Sequence, residues 1–165
     1  MDHLEASGRC SWCGDDPLYV DYHDTDWGVP EWDGRALWEK LILDGFQAGL
    51  SWITILRKRE AFRAAFRGFY PAEIATWGED EVLRLLADPG IVRHRGKIEG
   101  TIASAQAYLR IDAREGFSNY LWNFVDGVPV QNRPTSMSNV PTQTPISEAM
   151  SKALKAEGFK FCGPT

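Results

Sequence analysis

A turn in the middle of the chain, Asp88-Pro89-Gly90-Ile91-Val92-Arg93-His94-Arg95-Gly96-Lys97, carries groups suited to holding a phosphate. Gly90 can take a left-handed conformation and has no Cβ to block close approach. Backbone N–H groups at the start of the following helix point outward with a partial positive charge. Arg93, Arg95 and Lys97 add full charges. Together these groups would hold a nucleic-acid backbone without reading its sequence. The plainer alternative is a helical corner with a solvated basic face. Ile91 and Ile98 tip the balance, because apolar residues beside the turn would anchor it in a core and leave its tip exposed.

Two further sets of residues have chemical potential. Cys10-x-x-Cys13, His23 and Cys162 make up, by count, the four ligands of a structural zinc site. Buried thiols are the alternative for Cys13 and Cys162, and three cysteines do not suggest a disulfide framework. Asp44 precedes Gly45, where it could end a helix or offer a carboxylate to a ligand. Seven tryptophans supply flat faces for a planar ligand, although aromatic side chains more often fill cores.

The elements that must position these groups read as short helices. Asp33 caps a helix to about Asp44, with Ala36, Leu37, Trp38, Leu41 and Ile42 on a broad apolar face. A second stretch runs from Leu50 through Arg57. Phe62, Ala65, Phe66 and Phe69 have the three- and four-residue spacing of a buried helix stripe, and Pro71 opens a short helix. Glu79 to Ala87 is helical and stops at Asp88-Pro89-Gly90. Val92 to Arg110 reads as a long helix and Phe117 to Val125 as an aromatic one. Residues 131–144 form a polar loop, and Thr144-Pro145 opens a last helix that Gly158 ends. Strand signals are scarce, so the class is all-α. The chain has 165 residues, 44% hydrophobic and 25% charged, with a net charge of −5. This is ordinary globular chemistry, not disorder. An acidic balance argues against nonspecific coating of nucleic acid but allows a local basic patch. No apolar run approaches the roughly 20 residues of a membrane span, and Met1-Asp2-His3-Leu4-Glu5 opens no signal peptide. A cytoplasmic protein without membrane partners is expected.

Several segments together resemble the 3-methyladenine DNA glycosylase I family, a branch of the helix-hairpin-helix glycosylases. They are Asp16-Pro17-Leu18-Tyr19, Tyr22-His23-Asp24, Asp26-Trp27-Gly28-Val29-Pro30, Gln47-Ala48-Gly49-Leu50-Ser51-Trp52-Ile53-Thr54, Gly90 through Ile98, and Ser151-Lys152-Ala153-Leu154. They follow the family's order over nearly the whole chain. The resemblance implies a helix-hairpin-helix domain over residues 48–130. Residues 1–47 and 131–165 would join as a second small lobe, with a base pocket between the two. It implies that Tyr22 and Trp52 hold the flipped base, with Trp12 and Tyr19 nearby. Asp44 stands where the family usually carries a glutamate that hydrogen-bonds the methylated adenine, so here the catalytic-site carboxylate is one methylene shorter. Gly90, Arg93, Arg95, Gly96 and Lys97 would contact the DNA backbone. The implied activity is hydrolytic excision of N3-methylated adenine from alkylated double-stranded DNA by a monomer, with no cofactor for the chemistry and no lyase step.

The chemistry of the lesion agrees with such a site. A damaged base must leave the stack before its glycosidic bond can be reached, and it then needs an aromatic floor and a polar edge partner. N3-methylation makes adenine cationic, which favours aromatic faces and a good leaving group. The resemblance also implies that Cys10 and His23 are two of four zinc ligands. The family's other two lie downstream of Phe159-Lys160-Phe161, so structural zinc is expected only in a longer form. Asp112 falls near the catalytic aspartate of the wider superfamily, but it reads as a solvated helix end. Two other functions are compatible with the same features: a catalytically weak alkyl-base or DNA-binding module, and a helical protein whose aromatic cleft takes a peptide.

Overall fold

The computed structural model describes residues 8–165, and every regular element among them is helical. The order is α1 (Pro17–Thr25), α2 (Gly34–Gln47), α3 (Trp52–Arg57), α4 (Arg59–Ala65), α5 (Pro71–Ile74), α6 (Glu79–Leu86), α7 (Arg95–Glu115), α8 (Phe117–Trp122) and α9 (Pro145–Glu157). Short 3₁₀ turns lie at Ser11–Cys13, Asn123–Val125 and Met137–Asn139. No helix among the described residues is long and apolar enough to cross a membrane.

Local chemistry explains most boundaries. The Asp33 carboxylate accepts from the Ala36 N–H at 2.8 Å and starts α2. Thr144 and Ser147 form a reciprocal capping box for α9, Pro145 occupies its first turn, and Gly158 ends it in the left-handed region. Helix α1 has no counterpart in the sequence reading. Only Tyr22 on it is buried, so it lacks the apolar stripe that would reveal it. Asp16 starts α1 by accepting from the Leu18 N–H at 3.0 Å, with Pro17 in its first turn. Helix α7 begins at Arg95 rather than Val92, because the His94 ring caps it by accepting from the Lys97 N–H at 3.1 Å. It runs to Glu115 rather than Arg110 and stops at Gly116, whose φ is 84°.

The core is a single hydrophobic cluster. Phe46, Phe62, Phe66 and Phe69 are buried, with the Phe66 and Phe69 rings stacked at 5.3 Å. The cluster takes in Trp38 on α2, Ile55 on α3, Ile98 on α7 and Leu154 on α9. It therefore runs across the lobe boundaries expected at 47 and 130. The C-terminal segment docks on glycines: a Cβ at Gly45 would lie 3.1 Å from the Phe161 carbonyl oxygen, and one at Gly100 would lie 3.0 Å from the Lys160 Cβ. That close approach seats the chain end between α2 and α7.

Candidate base-binding site

Helices α1, α2 and α3 bring together one wall of an open cleft of about 700 Å³. Tyr22 comes from α1, Lys40 from α2 and Trp52 from α3. Tyr22 is buried, and its ring lies 5.4 Å from that of Trp52 at an interplanar angle of 47°. Two residues that are distant in sequence thus stand side by side on the cleft. The opposite side includes Trp122, whose ring stacks on Trp32 at 3.8 Å.

Lys40 is a cleft residue that sequence reasoning missed, as are Glu39, Arg63 and Trp122. Its ammonium lies 4.2 Å from the centre of the Trp52 ring and 2.5 Å from the Asp44 Oδ1. A signal existed in the i,i+4 spacing of Lys40 and Asp44 on a helix, but such pairs usually decorate a solvated face. Asp44 does not itself line the cleft. It stands one helical turn along α2 and reaches the wall through Lys40. Partial desolvation beside α2 pushes the Asp44 carboxyl above its ordinary pKa, against the opposing pull of Lys40, while its side chain stays 45% exposed. Burial likewise raises the Tyr22 phenol, while Lys40 pulls it down.

Trp12 and Tyr19 stand behind this wall rather than on it. Trp12 packs against Tyr19 at 5.0 Å and Tyr22 at 6.4 Å, with Trp27 at 5.3 Å. They support Tyr22 and complete an aromatic cluster at the N-terminal end. Ion pairs fasten α1 to the helices beyond it: Arg57 to Asp16 at 2.6 Å and Arg59 to Asp26 at 2.7 Å. On the cleft floor the buried Glu39 receives Arg63 at 2.6 Å.

The hairpin forms between α6 and α7, and its basic residues have separate destinations. Ile91 and Ile98 are buried, as expected of anchors. Arg93 is exposed at the tip. Arg95 is tied to Glu79 at 2.9 Å and Glu99 at 3.1 Å, and these carboxylates raise its pKa further. Lys97 departs from the expectation of a phosphate contact. It is buried and donates to the Phe46 carbonyl at 2.9 Å and the Ala48 carbonyl at 2.6 Å. Its charge therefore satisfies the C-terminal end of α2, where carbonyls lack helical partners. Gly90 is also not left-handed. What it supplies is space: a Cβ there would lie 3.0 Å from the Asp88 Oδ1 and 3.1 Å from the Ala61 Cβ. Gly96 lies against the His94 ring, 3.1 Å from where its Cβ would be.

The zinc set does not assemble. Among the described residues no three His, Cys, Asp or Glu side chains gather in a way that could hold a metal. The His23 Nε2 faces the Cys10 N–H at 3.2 Å, and its Nδ1 lies 2.9 Å from the Asp24 Oδ1. Both ring nitrogens are thus engaged within the chain. Cys13 and Cys162 are buried thiols, and burial raises the Cys162 pKa. The described residues do not fit a four-ligand zinc centre.

Comparison with known proteins settles the lineage. A family model described as methyladenine glycosylase matches residues 12–165. This chain belongs to the methyladenine glycosylase family. The curated DNA-3-methyladenine glycosylase 1 of Escherichia coli strain K12 is 51% identical over 158 residues, covering 95% of this chain and 84% of that protein. The DNA-3-methyladenine glycosylase of Haemophilus influenzae is 46% identical over the same length, covering 95% and 85%. A crystal structure of a 3-methyladenine DNA glycosylase I superposes with a TM-score of 0.92 at 52% identity, covering 94% of this chain and 86% of that one. A Staphylococcus aureus member, solved to explain its recognition of 3-methyladenine, also gives 0.92, at 41% identity, covering 94% and 84%. The all-helical architecture is thus the family's fold.

Proposed function

We propose that this protein is a DNA-3-methyladenine glycosylase that flips N3-methylated adenine out of alkylated duplex DNA and hydrolyses its glycosidic bond. The observation that carries this reading is the Tyr22–Trp52 aromatic wall, with Lys40 and Asp44 beside it, in a chain of this family. The relatives' names give the substrate class.

The chemistry asks little of acid catalysis. While the base is attached to the sugar, N3-methylation leaves it positively charged. When the N9–C1′ bond breaks, its electron pair passes to N9 and the base departs neutral. A water oxygen then bonds to C1′ and its proton goes to solvent. Tyr22 and Trp52 hold the flipped base in place, and Trp12 and Tyr19 brace Tyr22. Asp44 supplies negative charge, part of which favours bound substrate and transition state alike. No cofactor takes part.

The reaction is monofunctional. Lys40 is the lysine on the cleft wall, and an ammonium engaged by a carboxylate and a ring face is not a nucleophile. On the DNA side, the exposed Arg93 and the backbone around Gly90 and Gly96 meet phosphate, with Arg95 available if it exchanges Glu79 for DNA. The enzyme acts as a cytoplasmic monomer.

The test is release of free base from methylated duplex DNA, followed by chromatography, with borohydride present in a parallel reaction. The expected products are 3-methyladenine and an abasic strand, with no protein–DNA cross-link. Binding of methylated DNA without release would favour the catalytically weak base binder. A cross-link would contradict the monofunctional assignment.

A further inference from the structure

We infer that Lys40 is a specificity-determining residue whose ammonium occupies the cation subsite of the cleft and cancels its preference for a positively charged base. This rests on the cleft being the base site, as proposed above.

The subsite has the parts that recognise a cation. The Trp52 ring offers an electron-rich face, 4.2 Å from the Lys40 Nζ. The Asp44 carboxylate lies 2.5 Å from the same nitrogen. The buried Tyr22 ring closes the side next to Trp52. A cationic base stacked on Trp52 would use the same face and, with Lys40 swung away, would stand where the ammonium now screens the Asp44 carboxylate from the cleft.

Entry of such a base is therefore an exchange of one cation for another. The attraction gained between the base and Asp44 is offset by the loss of the Lys40–Asp44 pair and of the Lys40–Trp52 contact. Lys40 can make this exchange. Its side chain is 44% exposed, so the ammonium can swing into water on its flexible stem. A neutral base gains no charge attraction, and it still displaces Lys40 from the Trp52 face. The two kinds of ligand are thus brought close to parity.

The geometry of α2 makes the arrangement self-consistent. Residues four apart lie on one helical face, and the short aspartate arm holds its carboxylate close to the helix. The long lysine stem spans the remaining distance to the Trp52 face. Removing Lys40 would leave Asp44 unpaired beside an open aromatic face, and charge preference would return.

The experiment compares the parent with Lys40→Met and Lys40→Arg by equilibrium dialysis against two probes. One is 3-methyladenine at mildly alkaline pH, where it is neutral. The other is 3,9-dimethyladeninium, which is permanently cationic. The additional methyl cancels, because each probe is compared across proteins. Lys40→Met is expected to raise the ratio of cationic to neutral affinity about tenfold, the scale of one exposed ion pair plus one cation–π contact. Lys40→Arg keeps the charge and should keep the parent's ratio. An unchanged ratio in Lys40→Met, with both probes gaining equally, would make Lys40 a space-filler and overturn the inference. Base release from methylated DNA by the same preparations separates the two levels. Release with an unchanged ratio defeats this inference alone, whereas no release and no binding defeats the site assignment with it.

Discussion

Asp44 is the residue whose surroundings change its expected role. A carboxylate facing a cationic base gives a charge-assisted hydrogen bond, but here Lys40 already uses that carboxylate. Asp44→Asn would leave the Lys40 charge uncompensated on the Trp52 face. We expect it to slow single-turnover excision by at least about tenfold, since a hydrogen bond to a charged group is worth about 1.5–3 kcal/mol. Its relative affinity for a cationic over a neutral base should fall below the parent's, because an uncompensated Lys40 repels the cation. Asp44→Glu keeps the charge, extends the reach and should retain or improve activity. If Asp44→Asn proves as active and selective as the parent, Asp44 is only a helix-end residue. The position was legible in the sequence because it falls within a resemblance. Its pairing was not, because an i,i+4 lysine gives no sign of whether a third element will bring an aromatic face to it.

At the scale of elements, the hairpin separates into a tip and a root. Arg93 at the tip and Lys97 at the root look equivalent in sequence, yet one is exposed and the other is buried on two carbonyls. Arg93→Gln should weaken binding to all DNA sequences alike and lower the salt-dependence slope by about one unit. Lys97→Met should leave that slope unchanged and destabilise the fold by about 1–3 kcal/mol, the cost of unsatisfied buried groups. Equal slope changes in both variants would contradict the division. A similar tie secures the segment before α1. Arg9 and, secondarily, His23 hold the Asp24 carboxyl at about 2, below its reference value of 3.8. A carboxylate lowered on folding contributes stability above its unfolded pKa and loses it as pH falls through the folded value. Denaturant midpoints of the parent and Asp24→Asn should therefore differ at neutral pH and converge as pH falls from 3.8 toward 2. A constant difference across that window would mean that Asp24 acts by packing rather than by charge.

For the molecule as a whole, periodicity and capping identified most helices; Phe62, Ala65, Phe66 and Phe69 are buried as expected, but α4 ends at Ala65 and Phe69 lies beyond it with a φ of 55°. These signals are local, so they survive in one dimension. Helix α1 escaped because it buries little beyond Tyr22 and is held by Arg57 and Arg59 from elsewhere in the chain. The cleft escaped for a related reason. Its wall exists only when α1, α2 and α3 meet, and spacing within any one of them does not describe it. The pairing of Tyr22 with Trp52 came from resemblance, and the structure gives it a physical form as two tilted rings on one cleft wall. The central claim, that this wall receives the base to be excised, is tested most directly by single-turnover release of 3-methyladenine from methylated duplex DNA by the parent and Trp52→Ala. The account predicts release of 3-methyladenine but not adenine by the parent. It predicts a loss of about tenfold to a hundredfold in Trp52→Ala, since base–aromatic stacking is worth about 1–3 kcal/mol. No release by the parent, or equal release by a folded Trp52→Ala, would contradict it.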